Sequence, residues 1–595
     1  MIYHKSIAVL PFDNISSDPE NEYFSDGMTE ELINALSKVE GLKVTARTSS
    51  FAFKNKKEDV RIIGNELGVA TVLEGSIRKS GEKIRITAQL TRTDNGFHIW
   101  SENYDRQLHD IFHLQDEISL LIADKIRENF GHMVIEDQLV DAPTENIEAY
   151  ELYLKGKYYL NQFNPDDIKK GISLLEESTK LQSDFALAHV NIHYGFNMLA
   201  AGGLMPVKQA LDIGKSHLDR AIEIGYNLPE YYHSLGWHRL NEDWDFADAS
   251  FNLLKAIELR PGYADAHQKL FINWVLQGKF EEAKGHIDLA YQLDPLSALN
   301  NYFYSYYYYL TEQFQECKTH FEKTFEINPT FLVGYSIYAL ALVNQKNEQK
   351  IFDVADIIPE VNGAVVERQI MYALAYSSLG DQPKTQECMV QLENMLQGES
   401  GERVRFFLIY IEVLSGNLEA ALVHIEEGVA NHEPLMTLLK VDPLLKPLRS
   451  ESKFQDIIKK VFAKSDDIKQ STPSTVPAID SEEVSRIVSL LDQLMSNERM
   501  YLESDLSLRH LAEAVHIHPN KLSWILNDQM GKNFNEFVNE FRLHEFQQKA
   551  VDPANKHLTL LGLAYESGFR SKSVFNDFFK KNTGLTPKAW LKDQG

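Results

Sequence analysis

"AIELRP" (Ala256–Pro261), "AYQLDP" (Ala290–Pro295) and "TFEINP" (Thr324–Pro329) recur at a fixed step, with Pro261, Pro295 and Pro329 spaced 34 residues apart. Phe246, Phe280 and Phe314 keep the same step. Proline just past a helix stops it, and one aromatic per unit suits the groove between two packed helices. The spacing predicts stacked helix pairs rather than one globular core. Upstream, "FALAH" at Phe185 echoes "YADAH" at Tyr263, and "AIEIGY" at Ala221 echoes "AIELRP". Downstream, "ALAYSSLGDQPKTQECM" and "IEVLSGNLEAALVHIEEG" drift from the template but keep its helix-turn-helix rhythm.

A 34-residue period is diagnostic of tetratricopeptide units. The expected array is an all-α solenoid over residues 145–463, with a concave surface suited to a protein or peptide partner. Its richest aromatic run is "NNYFYSYYYYL", residues 300–310. Helical spacing predicts that Tyr302, Tyr306 and Tyr309 pack between helices while the other rings face solvent.

Ahead of the array the pattern is mixed. "SIAVLPF" is a short apolar run closed by Pro11, as a buried strand would be, and "SDGMTEELINALSKV" has helical spacing with Ser25 or Asp26 as a plausible cap. A strand "LKVTART", a helix "DVRIIGNELGV", a hairpin turning at Ser80-Gly81, and a strand running into a long helix complete an α/β domain over 1–135. Asp13, Glu30 and Glu31 are better explained by capping and solvated helix faces than by paired catalytic carboxylates. "IAVLPFDNIS", "YFSDGMTEELINAL", "TVLEGSIRKSGEKIRITAQL" and "IWSENYDR" resemble the N-terminal domain of TolB-like proteins. That resemblance implies an accessory or sensing role and no catalytic residues.

The totals fit a chain of several domains. A single core stops growing near ~250 residues, and this chain has 595, with 44% hydrophobic and 25% charged residues. Its two cysteines, Cys317 and Cys388, lie far apart in helical sequence, which suggests packing rather than a disulfide framework. No run reaches the ~18 apolar residues of a membrane span, and the first residues turn acidic soon after Pro11, unlike a secretory leader. The expectation is a cytoplasmic protein without a membrane partner. No phosphate-binding glycine loop, metal-ligand cluster or catalytic triad stands out, so neither an enzyme nor a cofactor is expected.

The stretch "AKSDDIKQSTPSTVPAIDSEE" cannot build a core and predicts a flexible linker at 464–481. Beyond it, at 482–595, lie two helix-turn-helix patterns in an all-α domain. In the first, Leu508, Leu511, Ala512 and Val515 form one apolar stripe, "HIH" makes the turn, and Leu522, Ile525 and Leu526 turn the second helix inward. Asn520, Lys521, Ser523 and Trp524 are left on or near its outer side. His516 and His518 suit a structural turn better than a metal site. In the second, Thr559 and Ser571 are caps, Gly568 permits a tight turn, and Phe575, Phe578 and Phe579 supply core contacts. Lys572, Ser573, Asn576, Asp577 and Lys580 remain for solvent or DNA. A helix laid in a major groove needs such a division, apolar on one side and short polar or basic on the other. Between the units, "NFNEFVNEFRLHEFQQKAVD" predicts one linking helix.

"LAYESGFRSKSVFNDFFKKNTGLTPKAW" resembles the AraC/XylS family of bacterial transcription regulators, over about 90 to 100 residues. The resemblance implies two recognition helices in successive major-groove segments of promoter DNA. Base-facing positions would fall on Asn520, Ser523 and Trp524, and on Lys572, Ser573, Asn576 and Asp577, with Lys580 at phosphate. Asp577 departs from the family pattern, and the sugar-binding domain common there is missing.

The chain carries a formal charge of -26, yet residues 504–595 hold 12 Lys and Arg against 10 Asp and Glu, a net of +2, which leaves -28 elsewhere. That is modest for a DNA reader, so a homodimer or a specific operator is expected to compensate. The leading expectation is a sequence-specific transcription regulator sensing a signal or partner through its other domains. The alternative is a scaffold assembling proteins on its repeats.

Overall fold

Tyr3–Val9, ending in the apolar Ile7–Val9, forms β1, an inner strand of a mixed sheet ordered β3-β1-β4-β5-β6, with β3 at Lys43–Val44, β4 at Val69–Ser80, β5 at Lys83–Arg92 and β6 at His98–Gln107. The short β2, Asp13–Asn14, lies along β4. β1 runs parallel to β3 and β4, whereas β4, β5 and β6 are antiparallel. Ser80 pairs with Lys83, so the hairpin turns through Gly81, whose φ of 58° suits the primed turns that match strand twist. Ile84, Ile86, Ala88 and Leu90 alternate inward along β5 and share one core with Leu114, Ile118 and Ile122 of α4, Ile111–Phe130. The structure is a computed structural model, and it describes residues 2–162, 164–201, 204–205, 207–224, 228–398, 400–465 and 481–594.

Two local expectations are corrected. Helix α1 spans Glu22–Leu36, so Ser25 and Asp26 sit inside it, buried, and the cap position is Asn21. Asp26 is held there by Lys54 at 2.6 Å. In "LKVTART" only Lys43–Val44 pairs as strand, and Arg47–Phe51 turns into helix α2. Tertiary contact accounts for the change: Ala46 N–H donates to Leu293 O at 2.8 Å and Ser49 N–H to Asp294 at 2.9 Å, both on the repeat array. Helix α3 spans Val60–Leu67.

Eight helix pairs follow among the described residues. They are Ile147–Leu160 with Pro165–Leu181 (α5, α6), Ala186–Ala201 with Val207–Glu223 (α7, α8), Pro229–Asn241 with Phe246–Leu259 (α9, α10), and Ala264–Gln277 with Phe280–Leu293 (α11, α12). Then come Ala298–Leu310 with Phe314–Ile327 (α13, α14), Leu332–Asn344 with Glu348–Asp356 (α15, α16), Ala364–Leu379 with Gln382–Glu393 (α17, α18), and Gly401–Leu414 with Leu418–Ala430 (α19, α20). Phe246, Phe280 and Phe314 each open the second helix of a pair, which explains their common step. In α13, Tyr306, Tyr307 and Tyr309 are buried and Tyr302, Phe303, Tyr304 and Tyr308 are half-buried, so, contrary to expectation, no ring of the run stands free in solvent. Cys317 and Cys388 are buried free thiols.

Apolar clusters ignore the sequence boundaries. One core runs from Ile7 through Tyr150 and Tyr153 of α5 to Ala210, so the sheet domain and first repeats are packed as a continuous body. Lys157 of α5 reaches Glu30 at 2.9 Å and Glu31 at 3.1 Å, which places these acids in a seam rather than on a solvated face. At its other end the array closes on itself. The 3-10 turns Pro434–Lys440 and Pro443–Ser450 and helix α21, Ser452–Val461, return across it. Phe462 stacks on Phe246 with centroids 4.6 Å apart, and Lys464 bridges Asp245. Asp442, 1% exposed, accepts from Tyr309 of α13 at 2.7 Å, Tyr410 of α19 at 3.0 Å and its own loop's Leu444 N–H at 2.9 Å. The face these helices present is thus covered by residues 434–450. Most of the expected linker, residues 466–480, lies outside the described residues.

Candidate nucleic-acid interface

Seven helices build the C-terminal domain: α22 (Ser481–Ser496), α23 (Leu508–Ala514), α24 (Pro519–Trp524), α25 (Phe534–Val551), α26 (Leu560–Glu566), α27 (Lys572–Thr583) and α28 (Pro587–Asp593). Short polar residues start most of them. Ser507, Thr559 and Ser571 accept from backbone N–H groups of the first turns of α23, α26 and α27, and Asn533 with Glu536 forms a reciprocal capping box on α25. His516, at φ 56°, makes the turn before α24, and His518 caps that helix.

Two apolar clusters define two units. The first joins Ile487 and Leu491 of α22 to Leu508, Leu511, Leu522, Ile525 and Leu526, and the second joins Leu563 and Phe569 to Phe575 and Phe579. Helix α25 serves both, through Phe534 and Phe537 at one end and Leu543 and Phe546 at the other. Its continuous backbone sets the distance between the units. At its middle, Arg542 donates to Tyr501 O at 2.7 Å, Glu503 O at 2.6 Å and Asn539 at 3.3 Å. Burial without a carboxylate partner among its hydrogen bonds pushes this guanidinium down to about 10.

Sequence reasoning missed Arg542, because nothing local distinguishes it from the exposed cations of an amphipathic helix.

The units differ in what they leave accessible. On α27, Lys572, Asp577 and Lys580 are exposed, and Ser573 and Asn576 are half-buried. Val574 is also exposed, while Phe575 and Phe579 face inward. This helix has the division of faces expected of a groove reader. On α24, Ser523 is buried at 1% exposure and Trp524 packs against the first cluster, which corrects their expected outward placement. Lys521 is tied to Glu483 of α22 at 2.6 Å. Asn520 is engaged by the α/β domain: its Oδ1 accepts from Arg127 at 2.5 Å and from the Ile135 N–H at 3.2 Å, and its Nδ2 donates to Ile135 O at 3.0 Å.

That contact is the edge of a wider interface. Glu128 accepts the Leu508 N–H at 3.0 Å, Asp124 faces Arg509 at 3.4 Å, Asp137 faces His518 at 3.1 Å, and Asn533 donates to Asn129 O at 3.2 Å. Arg127, 1% exposed, also pairs with Asp124, and burial lowers its pKa from the ordinary arginine value. Beside α27 a cavity of about 670 Å³ separates that helix from the sheet domain; Ser573, Asp577 and Lys581 line one side, and Phe97, His98 and Trp100 the other. Among the described residues, no group of three or more His, Cys, Asp or Glu is placed to hold a metal, and no helix is long and apolar enough to cross a membrane.

A helix-turn-helix domain family matches residues 511–593, and the second domain of HilA/YgeH-like transcriptional regulators matches residues 3–121. Transcriptional regulator HilA of Salmonella typhimurium is 20% identical over 299 residues, 49% of this chain and 51% of that one. The HTH-type regulator YobQ of Bacillus subtilis is 31% identical over 90 residues, 15% and 36% of the two chains. A Rhizobium meliloti protein named as adenylate cyclase 3 is 43% identical over 187 residues, 31% and 32% of the two chains. The chain therefore spans about a third to a half of the length of these relatives. Yeast Tom70 covers 55% of the chain and 71% of its own length at a TM-score of 0.33 and 16% identity. A tetratricopeptide repeat protein from Parabacteroides merdae covers 40% and 94% at a TM-score of 0.27 and 16% identity.

Proposed function

We propose that this chain is a sequence-specific, DNA-binding transcription regulator. The observation that carries the reading is the pair of helix-turn-helix units coupled by α25, with Lys572, Asn576, Asp577 and Lys580 offered on α27. Asn520 and Lys521 are the corresponding positions of the first unit. In this reading Lys580 meets phosphate, Asn576 and Lys572 meet base edges, and Asp577 takes a cytosine amino group or turns outward. The α/β unit, whose wording resembles TolB-like domains, and the repeats receive the signal. A homodimer would double the modest cationic contact of each C-terminal domain. For a protein partner, Ile357, Val361 and Val365 offer exposed apolar side chains beside α17.

Selection of bound sequences from a random duplex pool, followed by a salt titration, tests the reading. The expected outcome is an enriched motif, and an affinity loss of about thirty-fold or more on that motif for the Lys572→Ala, Asn576→Ala double variant, since each of the two base contacts is worth about 1–3 kcal/mol. Weak binding with no enriched sequence sinks the proposal. Unchanged partner capture by the same variant, with unchanged transcript levels, would favour the scaffold reading.

A further inference from the structure

We propose that the α/β domain carries a DNA-like face that occupies the first reading helix, so that the chain in this conformation is closed to promoter DNA. The inference rests on the DNA-binding reading above and adds how binding is withheld.

The match begins at Asn520. An asparagine reads adenine by accepting a hydrogen from one exocyclic amine and donating to a ring nitrogen, both through its amide. Here the backbone of Ile135 makes the same two-point contact, its N–H donating to Oδ1 at 3.2 Å and its carbonyl oxygen accepting from Nδ2 at 3.0 Å. The N–H and C=O that flank the Ile135 Cα present the donor and acceptor that an adenine edge would. Around it stand three carboxylates, which carry the sign of charge that phosphates carry on a duplex. Glu128 takes the backbone N–H at the start of α23, Asp124 faces Arg509, and Asp137 faces His518. Backbone N–H groups at helix starts and arginines are the groups that grip a phosphate backbone. DNA and the α/β domain therefore compete for one set of atoms.

The second unit is obstructed by the same arrangement. Ser573 and Asp577 look into a cavity of about 670 Å³ walled by Phe97, His98 and Trp100. A major groove alone is about 12 Å wide and 8.5 Å deep, so a duplex cannot enter that space. Lys581, a further cation on this helix, is turned to Glu536 at 2.8 Å. Because α25 couples the two units, release of the first unit from residues 124–137 also opens the cavity at the second. The acidity concentrated outside residues 504–595 thus has a local task at this face.

The test uses the full chain in two forms. Asp137→Cys with His518→Cys, joined by a reducible bismaleimide, fixes the closed state; Cys317 and Cys388 are buried and leave the engineered pair as the reactive thiols. Asp124→Asn, Glu128→Gln and Asp137→Asn together remove the charge of the face while keeping side-chain shape. With a random-sequence duplex pool as probe, the joined protein is expected to bind at least ten-fold more weakly than after reduction of the linker, and the amide variant at least ten-fold more tightly than the parent. Equal binding before and after reduction overturns the closed state while leaving the DNA-binding reading intact. Absence of binding by the reduced and amide forms at low salt overturns both. Should the amide variant fail to fold, the joined and reduced comparison decides alone.

Discussion

Replacing Gly568 with alanine is expected to lower the stability of the C-terminal domain by about 4 kcal/mol, among the largest costs of a point substitution. Gly568 turns at φ 92°, where a Cβ costs roughly 1–2 kcal/mol on conformation alone. Crowding adds the greater share. An added Cβ would lie 2.2 Å from Tyr501 O and 3.0 Å from Arg542 Nε. The obstruction is backbone, and that carbonyl already accepts from Arg542, so the neighbours cannot give way without breaking the guanidinium's contacts. Gly584→Ala separates the two causes. Gly584 has φ 74° with nothing within 4 Å of its added Cβ, so its cost should stay near the conformational ~1–2 kcal/mol. Hydrogen exchange across residues 482–594 measures both; equal losses for the two variants would show that crowding at Gly568 is unimportant.

At pH 5, Asp442→Ala should destabilise the helical array by about 3 kcal/mol, because it strands two buried tyrosine hydroxyls and an N–H. Burial, the largest influence, pushes the Asp442 carboxyl up to about 6, against the lowering effect of its hydrogen bonds from Tyr309, Leu444 and Tyr410. The sign follows from linkage. The folded chain keeps this proton to a higher pH than the unfolded chain, whose value is near ~4, so wild-type stability falls as pH rises from about 4 through about 6. The alanine variant has no proton to lose, and its deficit should narrow by about 1–1.5 kcal/mol between pH 5 and pH 8. Asp442→Asn keeps the shape and should be more stable than wild type at pH 8. Urea unfolding at the two pH values decides; a deficit that holds or widens at pH 8 contradicts the assignment.

Periodicity carried most of the fold. The 34-residue step of Pro261, Pro295 and Pro329 reports local helix packing, and such packing is written in each unit. The hairpin at Gly81 and the caps at Thr559 and Ser571 were legible for the same reason, since neighbours in sequence determine them. What escaped was set by distant residues. "LKVTART" has the composition of a strand, but Ala46 and Ser49 are captured by the array about 245 positions later and turn helical instead. Asn520 has a groove reader's residue type and spacing, yet its partners are Arg127 and Ile135, 393 and 385 positions away. No local pattern encodes a partner at that separation. Asp577, the residue that departs from the family pattern, is exposed and lines the cavity, whose wall also holds Arg92, Arg542 and Arg570.

Closure of the array by Phe462 on Phe246 has an evolutionary corollary. Open solenoids gain and lose units readily, because each unit touches only its neighbours. Here Asp245 and Lys464 are joined across the intervening pairs, as are Tyr309, Tyr410 and Asp442, like a ring drawn shut by a clasp. An added or deleted unit between α10 and α20 would move one half of the clasp away from the other. The closure therefore fixes the number of repeats in this stretch, and the contacts of the α/β domain with both α5 and the end of α12 extend the same constraint to the units before α9.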